Sequence, residues 1–457
     1  MKFRISMFIV ILSSFTFLGL GCKGLSPTQT AAITPVEINY WTVFDDVDVL
    51  RQFAEQYKVI RPYVTVNIRQ VRYDDFDNRL INALADDIQP DIVSIHVQWL
   101  RKYLSRLDPM PSTVSVADVA VSGQYVKNVQ VDVYDQRMPS VNAVKANYIN
   151  TVYDDAVVGN RIYGLPLAVD TLAIYYNKRL LDRAGIATPP TTWDEFLSAV
   201  QKTTLFNSRG ELIQSGVALG TADNIDNFAD IFAMLLMQNG VEIANGNRVA
   251  FASGLEKRVD PNHPTMETLR FYTDFSQPTK EAYAWNDTQD GAIEAFTRGR
   301  SAFYLGYAFE AKDIRRLGRQ IDWAVIPVPQ LDLQKPVNVA NYWLESVLEK
   351  SLHKDEAWDF IRFITSPENV DIYLAATGQP TPLRSQIGAQ RDDPVVGPFV
   401  LEVLNAKNWY QGKDVAAAKN AFATLINDFR EPFGEGDSTE RDGSLILRAA
   451  RTMQQTY

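Results

Sequence analysis

Cysteine is almost missing from this 457-residue chain: Cys22 stands alone, so everything after it folds without a disulfide, a thiolate metal site or a catalytic thiol. Histidine is scarce as well. The three present, His96, His263 and His353, are far apart and lack metal-ligand spacing, and neither Gly-x-Ser-x-Gly nor His-Glu-x-x-His occurs. No glycine-rich phosphate loop is present either, so nothing announces a cofactor, a metal or a catalytic centre. Positive charge is in deficit, with 45 Lys and Arg against 55 Asp and Glu, which argues against nucleic acid or an anionic surface as the main partner. Long apolar runs are missing apart from residues 5–20, and those 16 residues fall short of the roughly 20 that cross a bilayer comfortably.

That run has a setting of its own. Lys2 and Arg4 precede it and it ends in Leu18-Gly19-Leu20-Gly21-Cys22, the layout of a signal peptide. Small residues directly before a lone cysteine resemble the bacterial lipoprotein signal, which implies cleavage after residue 21 and lipidation of the Cys22 thiol; the competing reading is a buried free thiol behind an uncleaved anchor helix. Loss of Lys2 and Arg4 with the signal moves the formal charge from -10 to -12. Residues 22–35 then form a lipidated stalk, small, polar and proline-containing, expected to be flexible with nothing to bury. One acyl chain anchors only marginally, whereas the two or three of such lipoproteins suffice for stable attachment.

With 46% apolar and 22% charged residues, the remainder has the composition of a soluble globular protein long enough for two cores. Residues 36–44 read as a strand, Leu50, Phe53, Ala54 and Tyr57 recur at helical spacing, and Val64, Val66 and Ile68 alternate as in a second strand. After another helical pattern at 78–84, residues 91–97 (DIVSIHV) form the near-continuous apolar strand of a sheet buried on both faces. Alternating strands and helices predict an α/β fold with its ligand site beyond the carboxyl ends of the strands. Thr192 with Glu195 predicts a capping box for a helix with Trp193, Phe196, Leu197 and Val200 on one face. Ala357, Phe360, Ile361 and Ile364 share another helix face, Ser366-Pro367 opens the next helix, and residues 433–442 read as an exposed, mobile connection.

Residues 160–196 (NRIYGLPLAVDTLAIYYNKRLLDRAGIATPPTTWDEF) carry a Gly-Leu-Pro turn, an acidic residue, a Tyr-Asn-Lys strand end, an Ala-Gly-Ile loop and a Thr-Trp-Asp-Glu-Phe helix start. This closely resembles the signature of the family 1 extracellular solute-binding proteins, which include the maltose-type binding proteins. Residues 293–306 and 356–380 resemble the family in the same order. The resemblance implies the type II periplasmic-binding-protein-like fold, two α/β lobes joined by three hinge segments, expected near 168–172, 337–342 and 377–382. Lobe 1 is then 36–168 plus 343–378, and lobe 2 is 172–336 plus 382–457. The resemblance also implies a monomeric, non-enzymatic, lipid-anchored protein on the extracytoplasmic face of the cell membrane, without cofactor or metal. It would hand a sugar to the membrane permease of an ABC importer.

A sugar offers apolar C–H faces and a ring of hydroxyls, so its site needs aromatic planes and polar side chains at strand ends or hinges. Trp41 and Asp45 follow the first strand, and Gln98 and Trp99 the third. Asp170 matches the acidic position of the maltose-type pattern, where its carboxylate would accept hydrogen bonds from vicinal hydroxyls; a turn or cap carboxylate is the alternative. Trp285, Tyr307 and Phe309, then Tyr342 and Trp343, then Trp409 and Tyr410 complete the candidates, each with core packing as its competing role. Two other functions stay open: a glycoside hydrolase using Asp45 and Asp170 as its carboxylate pair, and a ligand-sensing receptor of the same fold.

Overall fold

The computed structural model of the protein describes residues 25–122, 128–434 and 438–457. Cys22 and the signal segment therefore lie outside the described residues, as do residues 435–437 of the connection expected at 433–442.

Two sheets organise the molecule. In the first the strands run Val64–Gln70, Val36–Thr42, Ile92–His96, Trp343–Leu348 and Leu107–Asp108; the first three are parallel and Trp343–Leu348 enters antiparallel beside Ile92–His96. The second runs Leu205–Phe206, Leu212–Val217, Ser301–Gly306, Ala173–Asn177 and Trp323–Pro327. Each sheet carries its own apolar core: Ile38, Phe53, Ile92, Leu344 and Phe360 anchor the first, Ile174, Phe196, Phe232, Phe303 and Leu425 the second. A chain of this length buries its apolar surface most readily as two such units, and the expected architecture of two α/β lobes is present.

Local rules account for the elements. Helix Val47–Ile60 starts where the Asp46 carboxylate accepts from Val49 N at 3.2 Å. Helix Trp193–Thr203 has the expected capping box, with Thr192 Oγ1 accepting from Glu195 N at 3.2 Å and Glu195 Oε2 accepting from Thr192 N at 3.3 Å. Helix Pro367–Thr377 begins at Ser366 and ends at Gly378, whose φ of +70 suits glycine.

The lobes are joined by strands as well as loops. Asp170–Thr171 pairs antiparallel with Asn338–Asn341, and Ala406–Lys407 pairs parallel with the other edge of Asn338–Asn341. The third crossing lies elsewhere than 377–382. Val169 N donates to Pro380 O at 3.1 Å, Ile149 N donates to Pro382 O at 3.0 Å, and Leu383 and Ile387 sink into the first core, so residues 382–387 belong with lobe 1 and not with lobe 2. Phe399 reaches the second core, Val400, Val403 and Ala406 pack on the first, and Trp409 and Tyr410 lie in the second, so the chain passes finally to lobe 2 between Ala406 and Trp409.

The stalk also departs from expectation. Pro27–Ala32 is a helix closed by a Ser26/Gln29 capping box, and Gln29 Nε2 donates to Val131 O at 2.8 Å on a long hairpin formed by Thr113–Ser122 and Asn128–Arg137. Leu25, Ala32 and Ile33 pack on the first core, so this segment has apolar surface to bury after all.

Candidate functional site

Between the lobes lies a cleft of about 630 Å³. Phe44, Asp45 and Asp46 line it from the loop after the first strand; His96 and Gln98 line it from the end of the third strand, at the carboxyl ends where an α/β sheet exposes its ligand site. Asp170, Asn341, Tyr342 and Trp343 enter from the crossings, and Asn227, Asp230, Phe309, Lys312 and Lys419 from the second lobe.

Aromatic rings form one wall. Trp343 packs edge-on against His96 at 5.1 Å and Trp99 at 5.5 Å, and lies 5.6 Å from Phe44. Tyr73 stacks on Trp99 at 5.1 Å. Opposite, Phe309 lies 6.4 Å from Phe44 with nearly parallel planes and is backed by Tyr307 at 5.7 Å. Phe44 is 61% exposed and Phe309 42%, so two uncovered rings from different lobes face one another at the mouth. Beside them Lys312 Nζ reaches Asp46 Oδ2 at 3.4 Å, an ion pair that bridges the lobes.

The floor is acidic and buried. Asp45 accepts from Thr42 Oγ1 at 2.5 Å, Ser94 Oγ at 2.5 Å and Tyr373 OH at 3.3 Å. Ser94 Oγ also lies 3.0 Å from Glu345 Oε1, and Tyr40 OH donates to Glu345 Oε2. A serine hydroxyl has one proton and cannot donate to both carboxylates. Burial, reinforced by the charge on Asp45, holds the Glu345 carboxyl well above the usual range, so it takes up a proton at higher pH than an ordinary glutamate and, once protonated, donates to Ser94, which donates to Asp45. Burial raises Asp45 too, against the hydrogen bonds from Ser94, Thr42 and Tyr373.

Asp170 lines the cleft and also fills its alternative role, that of a turn carboxylate. Oδ1 accepts from Thr171 N and Ala308 N, both at 2.9 Å, and Oδ2 accepts from Phe309 N at 3.0 Å. Three of its roughly four acceptor positions are taken, so it cannot grip two hydroxyls; it fastens the Phe309 turn to the crossing. Burial lifts its pKa to about 7 despite the three amides.

Of the remaining candidates, Gln98, Phe309, Tyr342 and Trp343 line the cleft with Asp45 and Asp170. Trp99 stands behind the wall. Trp41 lies under Arg69 at 5.4 Å and packs on the first core, away from the cleft. Trp285 is fully buried with Nε1 donating to Asn224 Oδ1 at 3.0 Å, and Tyr410 is core. Tyr307 and Trp409 act one layer back: Tyr307 hydrogen-bonds Asp230 and Asn341, and Trp409 Nε1 donates to Asp230 Oδ1 at 2.5 Å. Asp230 is thus held rigid by two rings from different segments.

Sequence reasoning missed Phe44, Tyr73, His96, Asn227, Asp230, Asn341 and both lysines. His96 and Asn341 adjoin strand ends already singled out and bond each other at 2.9 Å; burial lowers the His96 pKa to about 4, leaving the ring neutral. Lys419 sits on helix Val415–Arg430 with no ion-pair partner among the described residues, and no local pattern marks it. Among the described residues no group of three or more His, Cys, Asp or Glu is placed to hold a metal ion.

With the geometry in view, comparison is informative. The profile described as "Bacterial extracellular solute-binding protein" matches residues 44–371. The melibiose/raffinose/stachyose-binding protein of Bacillus subtilis is 22% identical over 389 residues, 82% of this chain and 80% of that one. The structure of a sugar-binding protein from Xanthomonas citri superposes with a TM-score of 0.68 at 18% identity, covering 92% of this chain and 98% of that one. A cyclic alpha-maltosyl-1,6-maltose binding protein from Arthrobacter globiformis gives 0.67 at 16% identity, covering 92% and 99%.

Proposed function

Because the chain belongs to the bacterial extracellular solute-binding proteins, we propose that it captures a sugar between its lobes and delivers it to the membrane subunits of an ABC importer. Its place is the outer face of the cell membrane, held by lipid on Cys22. The carrying observation is the pairing of exposed Phe44 and Phe309 across the cleft mouth, with carboxylates, amides and a lysine arrayed behind them. Once the lobes part beyond the present 6.4 Å ring separation, the two rings offer a plane to each apolar face of a pyranose, and Gln98, Asn341, Asp230 and Lys419 supply the mixed donors and acceptors its hydroxyls require. The names of relatives that bind melibiose, raffinose, stachyose or maltotriose support the same ligand class.

Hydrolysis fits poorly. Asp45 is tied to Thr42, Ser94 and Tyr373, and Asp170 to three backbone amides, so neither is poised as a proton donor to a glycosidic oxygen. The test is thermal denaturation of residues 23–457 with raffinose, melibiose and maltotriose, followed by chromatography of the sugar. A binding protein gains about 2.7 kcal/mol when ligand reaches a hundredfold excess over Kd, and returns the sugar intact. Released monosaccharide, or no stabilisation by any oligosaccharide tried, would overturn the reading.

A further inference from the structure

Asp155 sits on helix Asn150–Ala156, whose Val152 and Ala156 pack in the first core. Its side chain lies behind the cleft wall, buried. Oδ2 accepts from Tyr342 OH at 2.7 Å and Thr151 Oγ1 at 3.3 Å, and Oδ1 accepts from Gln411 Nε2 at 3.0 Å and Asn408 Nδ2 at 3.3 Å. The roughly four acceptor positions of the carboxylate are all taken, and no amide or hydroxyl side chain could accept as many.

The donors come from different parts of the molecule. Tyr342 follows the second crossing strand and lines the cleft, whereas Asn408 and Gln411 flank Trp409 and Tyr410, both buried in the second core. The loop 408–411 begins directly after Ala406–Lys407, which pairs with Asn338–Asn341. Asp155 thus fastens a loop of lobe 2 to lobe 1 at the point where the chain passes over.

That loop supports the far wall of the cleft. Trp409 Nε1 donates to Asp230 Oδ1 at 2.5 Å. Tyr410 OH accepts from Asp414 N at 2.8 Å, and Asp414 Oδ1 accepts from Ala417 N at 3.0 Å to cap helix Val415–Arg430, from which Lys419 enters the cleft. One carboxylate outside the cleft is therefore linked to three residues that line it, Tyr342 directly and Asp230 and Lys419 through the loop.

We propose that Asp155 is a positioning residue of the sugar site, the pivot that keeps Asp230 and Lys419 in register with Tyr342 and the lobe 1 wall as the lobes part and close. This takes the cleft to be the sugar site proposed above.

Residues 23–457 contain no cysteine, so E55C/K202C carries two nitroxides only, one on helix Val47–Ile60 of lobe 1 and one on helix Trp193–Thr203 of lobe 2. Electron double resonance then reads the lobe separation without any sugar. Q411A is expected to broaden the distance distribution and D155A to broaden it further. D155N/Q411E, which exchanges the amide and the carboxylate, should return it to the width seen before substitution. Gln411 is exposed, so Q411A leaves the cores intact and decides the matter alone if D155A does not fold. Whichever of raffinose, melibiose and maltotriose binds should bind Q411A about tenfold more weakly, the worth of one hydrogen bond to a charged group, and D155N/Q411E should recover the affinity. An unbroadened distribution in Q411A, even with a lowered melting temperature, marks the carboxylate as purely structural and overturns the proposal. Broadening that D155N/Q411E fails to repair overturns it too. If none of the three sugars binds the unsubstituted protein, the sugar reading alone falls, and the lobe separations still decide the role of Asp155.

Discussion

At the scale of single residues, position relative to solvent decides what a substitution tests. Phe44 is largely exposed, so Phe44→Ala removes one face of the mouth without opening a core cavity; sugar affinity should drop about tenfold, near the upper end of the 0.5–1.5 kcal/mol of an aromatic contact, with the melting temperature unchanged. Asp170→Ala should behave differently. It strands three backbone amides, two of them buried and each worth about 1–3 kcal/mol when unsatisfied, so calorimetry should record lower stability together with lower affinity. Glu345 should titrate well above an ordinary glutamate in a carbon-13 titration, since it is buried beside Asp45 and Ser94 can satisfy only one of its two acidic neighbours as a donor. Large aromatic residues were legible from sequence only as candidates. Trp285 and Trp409 have the same composition signal as Trp343, and what separates them is an indole N–H partner inside lobe 2, a long-range contact that no local pattern encodes.

Among the elements, those set by neighbouring residues follow the sequence closely. The capping box at Thr192, the Ser366-Pro367 start and the strand at Ile92–His96 depend on contacts within a few residues, and all three form as expected. The third crossing was misplaced because Pro380 and Pro382 look like a linker locally, yet their carbonyls are claimed by Val169 and Ile149 from far upstream. Similar long-range bonding fixes the hairpin. Arg61, at the end of helix Val47–Ile60, is only 2% exposed and donates to Asp359 at 3.1 Å and to Tyr134 at 3.0 Å, and it also pairs with Asp118. It thereby joins one helix to the hairpin and to helix Lys354–Ile364. Arg61→Ala should lower unfolding free energy by about 3–5 kcal/mol in a denaturant titration, as for a broken buried pair, although Arg362 remains beside Asp359.

For the molecule as a whole, buried acids govern the response to pH. Burial raises Asp155 to about 6 and Asp170, Glu310 and Glu402 to about 7. The unfolded chain releases these protons near pH 4, whereas the folded chain keeps them to pH 6 or 7, so the native state binds more protons in that window. Their contribution is complete below about pH 4 and is lost as pH rises through 7. Denaturation midpoints should therefore be higher at pH 5 than at pH 8; equal midpoints would contradict these assignments. The α/β class was legible because strand and helix alternation is a local signal repeated along the chain, while the two-lobed outline came from the resemblance carried by residues 160–196, 293–306 and 356–380. The cleft was only half legible, since it is assembled by the relative placement of two separately folded lobes.

The ion pair of Asp46 with Lys312 and the ring contact of Phe44 with Phe309 join the lobes across the rim of the mouth. Their consequence is kinetic. A solute arriving at this conformer must wait for the gate to part, so stopped-flow association rates should cease to rise with sugar concentration and level off at the gate's own opening frequency. In Lys312→Ala that plateau should move upward, and the protein would trade a slower leak of captured sugar for faster loading.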